Sequence, residues 1–449
     1  MKLKLSSLSE SIKNVGKIST GTVLGQIISI ITLPLFTRMY GPVVIGNWAL
    51  FMSIAIIVRS ISDLGLTNAI MMEDSEEAAE KIYKVVTTIS LILSIIIGLS
   101  VYTEMLSWDF GLNSLFAAIM LTLLIFTTQQ IQICYTWLNR RKQYDLLMKN
   151  PIINNLAVTI IALTLGILGF YEYGYYLAMV MGQIITLMHM RRYLPKEDIS
   201  IRFNIYQEVF KRHNRFIIYQ MPSNILLQLK GQFPTLLINI FFNATILGYY
   251  TIAMRVLGMP ITFLANSLGK VFFQKASEIK RKGDQVGEFT LRCLKKSMKL
   301  SLIPIISMLC VGDIGMILLF GDDFIVSANL LRVMTLYGFF LFLSMSVNGI
   351  AIVIDKQNYL MISGIFQLVG IYLGMWLGVE VFNNIYISVL SLGICFSIVQ
   401  VVYFCFIFRI TNVKIHKYLK PLTMQFVLIL LAYALGRSIL LSLGIIDTL

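Results

Sequence analysis

Runs of about twenty apolar residues, without the alternation of a half-buried strand, recur from residue 18 to residue 443 and constrain the fold more than any other feature. A helix needs roughly 20 such residues to cross a bilayer, whereas a barrel strand needs about ten in alternation. Thirteen candidate spans follow, at about 18–38, 45–70, 82–103, 113–136, 150–170, 173–190, 214–242, 246–272, 294–320, 328–354, 359–380, 384–409 and 421–443. A mean hydropathy of +0.78 and a charged fraction of 13% leave little water-facing surface for 449 residues. The expected fold class is an all-α polytopic membrane protein.

The net charge of +14 would suggest nucleic acid in a soluble protein. In a membrane protein it is the placement of Lys and Arg that matters. With the N-terminus inside, the inward segments hold 31 of the 37 Lys and Arg, while the outward loops carry Glu104, Asp109, Glu172, Asp322, Asp323 and Glu380. The basic side is therefore expected to face the cytoplasm, and no nucleic-acid partner is expected. Residues 1–17 alternate leucines and lysines as an interfacial amphipathic helix would. No small-residue cleavage site follows the run at 21–36, which reads as a retained first span. The five cysteines and three histidines form no CxxC or HExxH pattern, so neither a metal nor a cofactor is expected.

The longest polar interruption, 191–213, divides an N-lobe (18–190, spans one to six) from a C-lobe (214–410, spans seven to twelve), with 421–443 as an extra thirteenth span. VIGNWALFMSI (44–54) matches ILGYYTIAMRV (246–256), each after a Gly-Gln in the preceding span. Both copies run in the same direction after six spans, the pattern of a parallel repeat. Two six-helix lobes around a central cavity are the expected architecture.

Charges inside apolar spans mark the candidate site, because each costs about 2.5–3.5 kcal/mol on insertion scales. Arg255 shares a helical face with Thr251, Gly258, Thr262, Asn266 and Lys270, and lies about 14 Å below the outer end of its span. Lys230 lies near 18 Å, off a stripe of Gln220, Asn224, Gln228 and Gln232, with a kink expected at Pro234. Arg59 and Asp63, spaced i, i+4, can pair or contact substrate, and Gln26 and Gln129 give spans one and four polar faces.

The run GQFPTLLINIFFNATILGYYTIAMRVLGMPITFLANSLGKVFFQKASE resembles the seventh and eighth helices of polysaccharide-biosynthesis flippases of the Wzx type, within the multidrug/oligosaccharidyl-lipid/polysaccharide transporter superfamily. So do LPLFTRMYGPVVIGNWAL (33–50), DLGLTNAIMMEDSEEAAE (63–80) and FGDDFIVSANLLRVM (320–334). Many members carry an acidic residue in the seventh helix where this chain reads QFPT (232–235), so the resemblance does not extend to carboxylate-based cation coupling there. It implies flipping of an undecaprenyl-diphosphate-linked oligosaccharide, of O-antigen or capsule type, to the outer leaflet of the bacterial cytoplasmic (inner) membrane. Membrane lipids and other polysaccharide-assembly proteins are the further partners it implies. Arg255 and Lys230 suit the pyrophosphate, and neutral Gln, Asn and Thr groups suit sugar hydroxyls.

Two other readings compete. A multidrug extruder of the same superfamily should favour organic cations and hence carboxylates in its cavity. A glycosyltransferase or polymerase needs a sizeable catalytic outer loop, and the outer loops here are short, so no enzyme activity is expected.

Overall fold

The computed structural model describes residues 2–105, 110–195, 199 and 202–444, with side chains described from Thr20 onward except that of Thr262. The side chains of the expected interfacial segment, 1–17, lie outside the described residues. Among the described residues the secondary structure is helical throughout, and ten helical segments are long and apolar enough to cross a membrane.

The first helix, α1 (Lys2–Ser62), joins the first two expected spans and is interrupted at Gly41, whose φ of 72° and ψ of 175° are not helical. Pro42 follows and opens the second half, a position where a missing N–H costs nothing. A 3₁₀ turn (Leu66–Met71) leads to α2 (Glu76–Tyr102), whose first turn is capped by Ser75 and carries Glu76 and Glu77 at the positive end of the helix dipole. Next come α3 (Ser114–Arg140), α4 (Tyr144–Ile167), α5 (Gly174–Met190) and the short amphipathic α6 (Phe203–Arg212).

A π-turn (Phe216–Gln220) precedes α7 (Met221–Phe241). Helical structure runs through Pro234, and the wide turns fall elsewhere, at 216–220 and at Ile261–Ala265 between α8 (Ala244–Pro260) and α9 (Asn266–Arg281). The remainder comprises α10 (Val286–Phe320), α11 (Ile325–Ser346), the single turn α12 (Ile350–Val353), α13 (Gln357–Glu380), α14 (Ile385–Ile410) and α15 (His416–Ser442). The sixth and seventh of the thirteen expected spans fall on α5, which has 17 residues, and on α7, whose run is interrupted by Lys230 and the glutamine stripe, and neither helix is among the ten.

The chain forms two compact units, residues 1–239 with 243–248, and residues 240–242 with 249–449. In unit 1 an aromatic group closes one end of the bundle: Tyr175 lies 5.9, 5.3 and 6.2 Å from the rings of Phe36, Tyr40 and Trp48. Tyr40 Oη donates to the Ala162 carbonyl at 2.6 Å, which satisfies a hydroxyl that lipid could not. At the other end Tyr83, Trp137, Leu138 and Leu66 form a buried core, and Ile205, Tyr206 and Phe210 of α6 pack on it. In unit 2, α13 packs closely on α14, and Phe404 and Phe408 of α14 hold Tyr418 of α15 at 5.9 and 5.2 Å.

Two glycines of the matching stretches make close backbone approaches inside unit 1. A Cβ on Gly46 would meet the Ala244 carbonyl oxygen at 1.9 Å, and one on Gly248 would meet the Pro42 carbonyl oxygen at 1.9 Å. The offset that aligns the two matching segments carries Gly46 onto Gly248 and Pro42 onto Ala244. The contact is thus reciprocal in the two matching stretches. Two glycines let the backbones approach where lipid supplies no hydrophobic drive for association.

Candidate functional site

In unit 1 the polar stripe of α7 faces partly onto itself and partly onto α1. Gln220 Nε2 donates to Asn224 Oδ1 at 3.0 Å, and Ser53 Oγ donates to Gln232 Oε1 at 2.9 Å. Gln228 and Gln26 are half-buried. Lys230, two residues before Gln232, is half-buried as well. Among the described residues its ammonium has no carboxylate within 4 Å and no hydrogen-bond partner.

Asp63 belongs to the interior. Its carboxylate accepts from Thr67 Oγ1 and, at 3.2 Å, from Gln129 Nε2, and Gln129 is fully buried. Arg59, one turn earlier, attracts the carboxylate electrostatically. The hydrogen bonds of Asp63 nevertheless go to Thr67 and Gln129, tying the end of α1 to the 3₁₀ turn and to α3.

In unit 2, Arg255 is half-buried on α8. The π-turn after Pro260 closes with the Asn266 amide donating to the Ile261 carbonyl, an i→i+5 bond that breaks the 3.6-residue phase. Asn266 and Lys270 consequently do not continue the face of Arg255 by simple helical counting. The side chain of Thr262, in this turn, lies outside the described residues.

Asn266 and Lys270 are exposed and line a pocket of about 500 Å³ with Phe273, Met345, Asn348 and Ile352. Its walls come from α9 and from the break between α11 and α12. Gly349 makes that break with φ 86°, a left-handed conformation, and the Phe273 ring lies 2.5 Å from where a Cβ would stand. Asn348-Gly349 was visible in the sequence as a turn-forming dipeptide inside an apolar run. Its position opposite Lys270 was not.

A second charged group escaped sequence reasoning altogether. Arg437 of α15 bonds Asp313 Oδ2 of α10 at 2.6 Å, and Arg332 of α11 lies 3.5 Å from the same oxygen. Arg332 also donates to Tyr433 Oη and lies over its ring at 5.6 Å. The side chains are 4%, 13% and 19% exposed for Arg437, Asp313 and Arg332. All three are ionisable residues in apolar runs, the same signal that singled out Lys230 and Arg255. Among the described residues no group of three or more His, Cys, Asp or Glu could hold a metal ion.

Comparison with known proteins places this geometry in context. The model of a family described as "Polysaccharide biosynthesis protein" matches residues 35–329. The chain is 21% identical over 298 residues to the succinoglycan biosynthesis transport protein ExoT of Rhizobium meliloti (strain 1021), a match that covers 65% of this chain and 59% of that protein's length. Among solved structures it is similar to the lipid II flippase MurJ in an inward closed conformation, with a TM-score of 0.71 and 14% identity over 96% of this chain and 98% of that one. It is also similar to an inward-facing multidrug resistance MATE family transporter, with a TM-score of 0.60 and 14% identity over 88% and 94% of the two chains. At such identities the structural likeness establishes the fold.

Proposed function

The chain belongs to the polysaccharide biosynthesis protein family, a membrane transporter and not an enzyme, and from that membership we propose that it is a flippase for an undecaprenyl-diphosphate-linked oligosaccharide. It moves the headgroup from the cytoplasmic to the outer leaflet of the bacterial cytoplasmic membrane by alternating access, with its N-terminus in the cytoplasm. The observation that carries the reading is Lys230, a half-buried ammonium on α7 with no counter-ion among the described residues of the structure. A diphosphate is the partner such a group lacks, and Arg255 adds a planar fork suited to phosphate oxygens. The amides of Gln26, Gln220, Asn224, Gln228 and Gln232 suit sugar hydroxyls, which both donate and accept. ExoT and the lipid II flippase carry names that speak of related cargo.

The test is reconstitution into liposomes with a fluorescent prenyl-diphosphate oligosaccharide, scoring its accessibility to a membrane-impermeant quencher. Wild type should equilibrate the label between leaflets. Protein that leaves it in one leaflet while exporting a cationic dye would be an extruder, and the proposal would fall.

A further inference from the structure

The pocket between α9 and the α11–α12 break is lined by polar and apolar side chains together. Residues of α9 supply the Lys270 ammonium, the Asn266 amide and the Phe273 ring, and residues of the break supply the Asn348 amide with Met345 and Ile352. Among the described residues, the Lys270 ammonium has no carboxylate within 4 Å. No hydrogen bond within the described protein occupies the side-chain amides of Asn266 or Asn348. Phe273 and Ile352 are 41% and 47% exposed. Three converging polar groups without partners, beside exposed apolar surface in one concavity, are the composition of a ligand site.

Its depth narrows the ligand. Residues 266–270 stand about 33–39 Å along the helical path from Ala244, farther than the thickness of a hydrocarbon core of about 30 Å. They therefore lie at the membrane–water interface, on the side where the basic segment 270–299 emerges. This is the level of lipid phosphates. A cation and two amide donors match phosphate oxygens, while the apolar lining beside them matches the glycerol or prenyl carbons that adjoin a lipid phosphate. A soluble phosphate would leave Phe273, Met345 and Ile352 uncovered.

We propose that this pocket binds the phosphate headgroup of a membrane lipid. Two lipids share that chemistry, a phosphodiester phospholipid and a prenyl diphosphate. The inference goes beyond the proposed transport activity and does not depend on the sugar carried.

Binding to the purified full chain in neutral detergent, followed by native mass spectrometry and calorimetry, tests it with three probes: short-chain phosphatidylglycerol, farnesyl diphosphate and inorganic phosphate. Wild type should bind at least one of the two lipids and not inorganic phosphate at the same concentration. Lys270→Gln should weaken the lipid about tenfold, the effect of losing one charge-assisted contact. Asn348→Leu, which fills the pocket, should abolish binding, and Lys275→Gln on the same helix should change nothing. Binding of phosphatidylglycerol alone identifies the occupant as a bilayer phospholipid, and binding of farnesyl diphosphate alone identifies it as a carrier lipid. Unchanged lipid affinity in both pocket variants, with thermal unfolding like wild type, would overturn the site. A chain that binds lipid here yet moves no oligosaccharide refutes the transport reading only, and transport with no lipid bound at this pocket refutes only the pocket.

Discussion

At the scale of single residues, the same residue type takes different roles according to what stands across from it. Lys230 and Arg437 are both cations in apolar helices, but Arg437 meets Asp313 at 2.6 Å whereas Lys230 meets no carboxylate among the described residues. An ion pair compensates burial from within the fold, and a lone ammonium awaits a ligand. Lys230→Gln, at normal membrane abundance, should lower liposomal flipping at least tenfold, and Lys230→Arg should retain part of it. Transport equal to wild type in Lys230→Gln would remove the residue from the site. Gly46 makes a different demand, because its neighbour is a backbone carbonyl that no rotamer change can move. Gly46→Val should destabilise unit 1 by about 1–3 kcal/mol or more, read as a lowered thermal midpoint in detergent.

At the scale of elements, charge clasps fix the helices that hydropathy alone leaves unplaced. The short α6 is held to the 72–75 segment and to α2: Arg212 pairs with Glu73 at 2.7 Å, His213 Nε2 lies 3.0 Å from Glu73 Oε1, and Lys81 pairs with Glu208 at 3.0 Å. Burial lowers the His213 imidazole below its ordinary value of about 6.5, outweighing the attraction of Glu73, and neighbouring Arg212 acts in the same direction. The undocked segment therefore takes up a proton before the docked one does. Docking is favoured above about pH 6.5 and weakens as pH falls through the lower, docked value. The protection of amides across 203–213, taken relative to the intrinsic exchange rate at each pH, should fall between pH 7 and pH 5, and His213→Gln should flatten that dependence. The α15 helix is held by Asp313, so Asp313→Ala should expose two arginines to each other and cost about 3–5 kcal/mol. Limited proteolysis should then cut near 411–415 sooner than in wild type.

At the scale of the whole molecule, the distribution of Lys and Arg implies an orientation. A cysteine at position 284, between α9 and α10, should react with an impermeant maleimide only after the membrane is opened, given that the native cysteines have first been replaced. One at position 322, between α10 and α11, should react in intact cells. The opposite pattern would invert the proposed direction of transport. Within unit 1, Gly46 and Gly248 each stand against a backbone carbonyl, of Ala244 and of Pro42, so neither position has room for a side chain.

Local pattern by itself determined the all-α class, most of the apolar spans and the presence of cations in apolar runs. Lipid imposes length and hydropathy on each span separately, so these features can be read without knowing any neighbour. The sequence also placed Asn266 and Lys270 as site residues, though on one stripe with Arg255, a continuity that the π-turn at 261–265 interrupts. Only the tertiary structure decided which polar groups are already occupied. Gln129 and Asp63 proved to be bonded to each other across 66 residues of chain, and Asp313, Arg332 and Arg437 came together from three helices. Whether a buried charge or amide is a structural clasp or an open site depends on which helix faces meet. That is set by packing between distant segments, which periodicity within one segment does not encode.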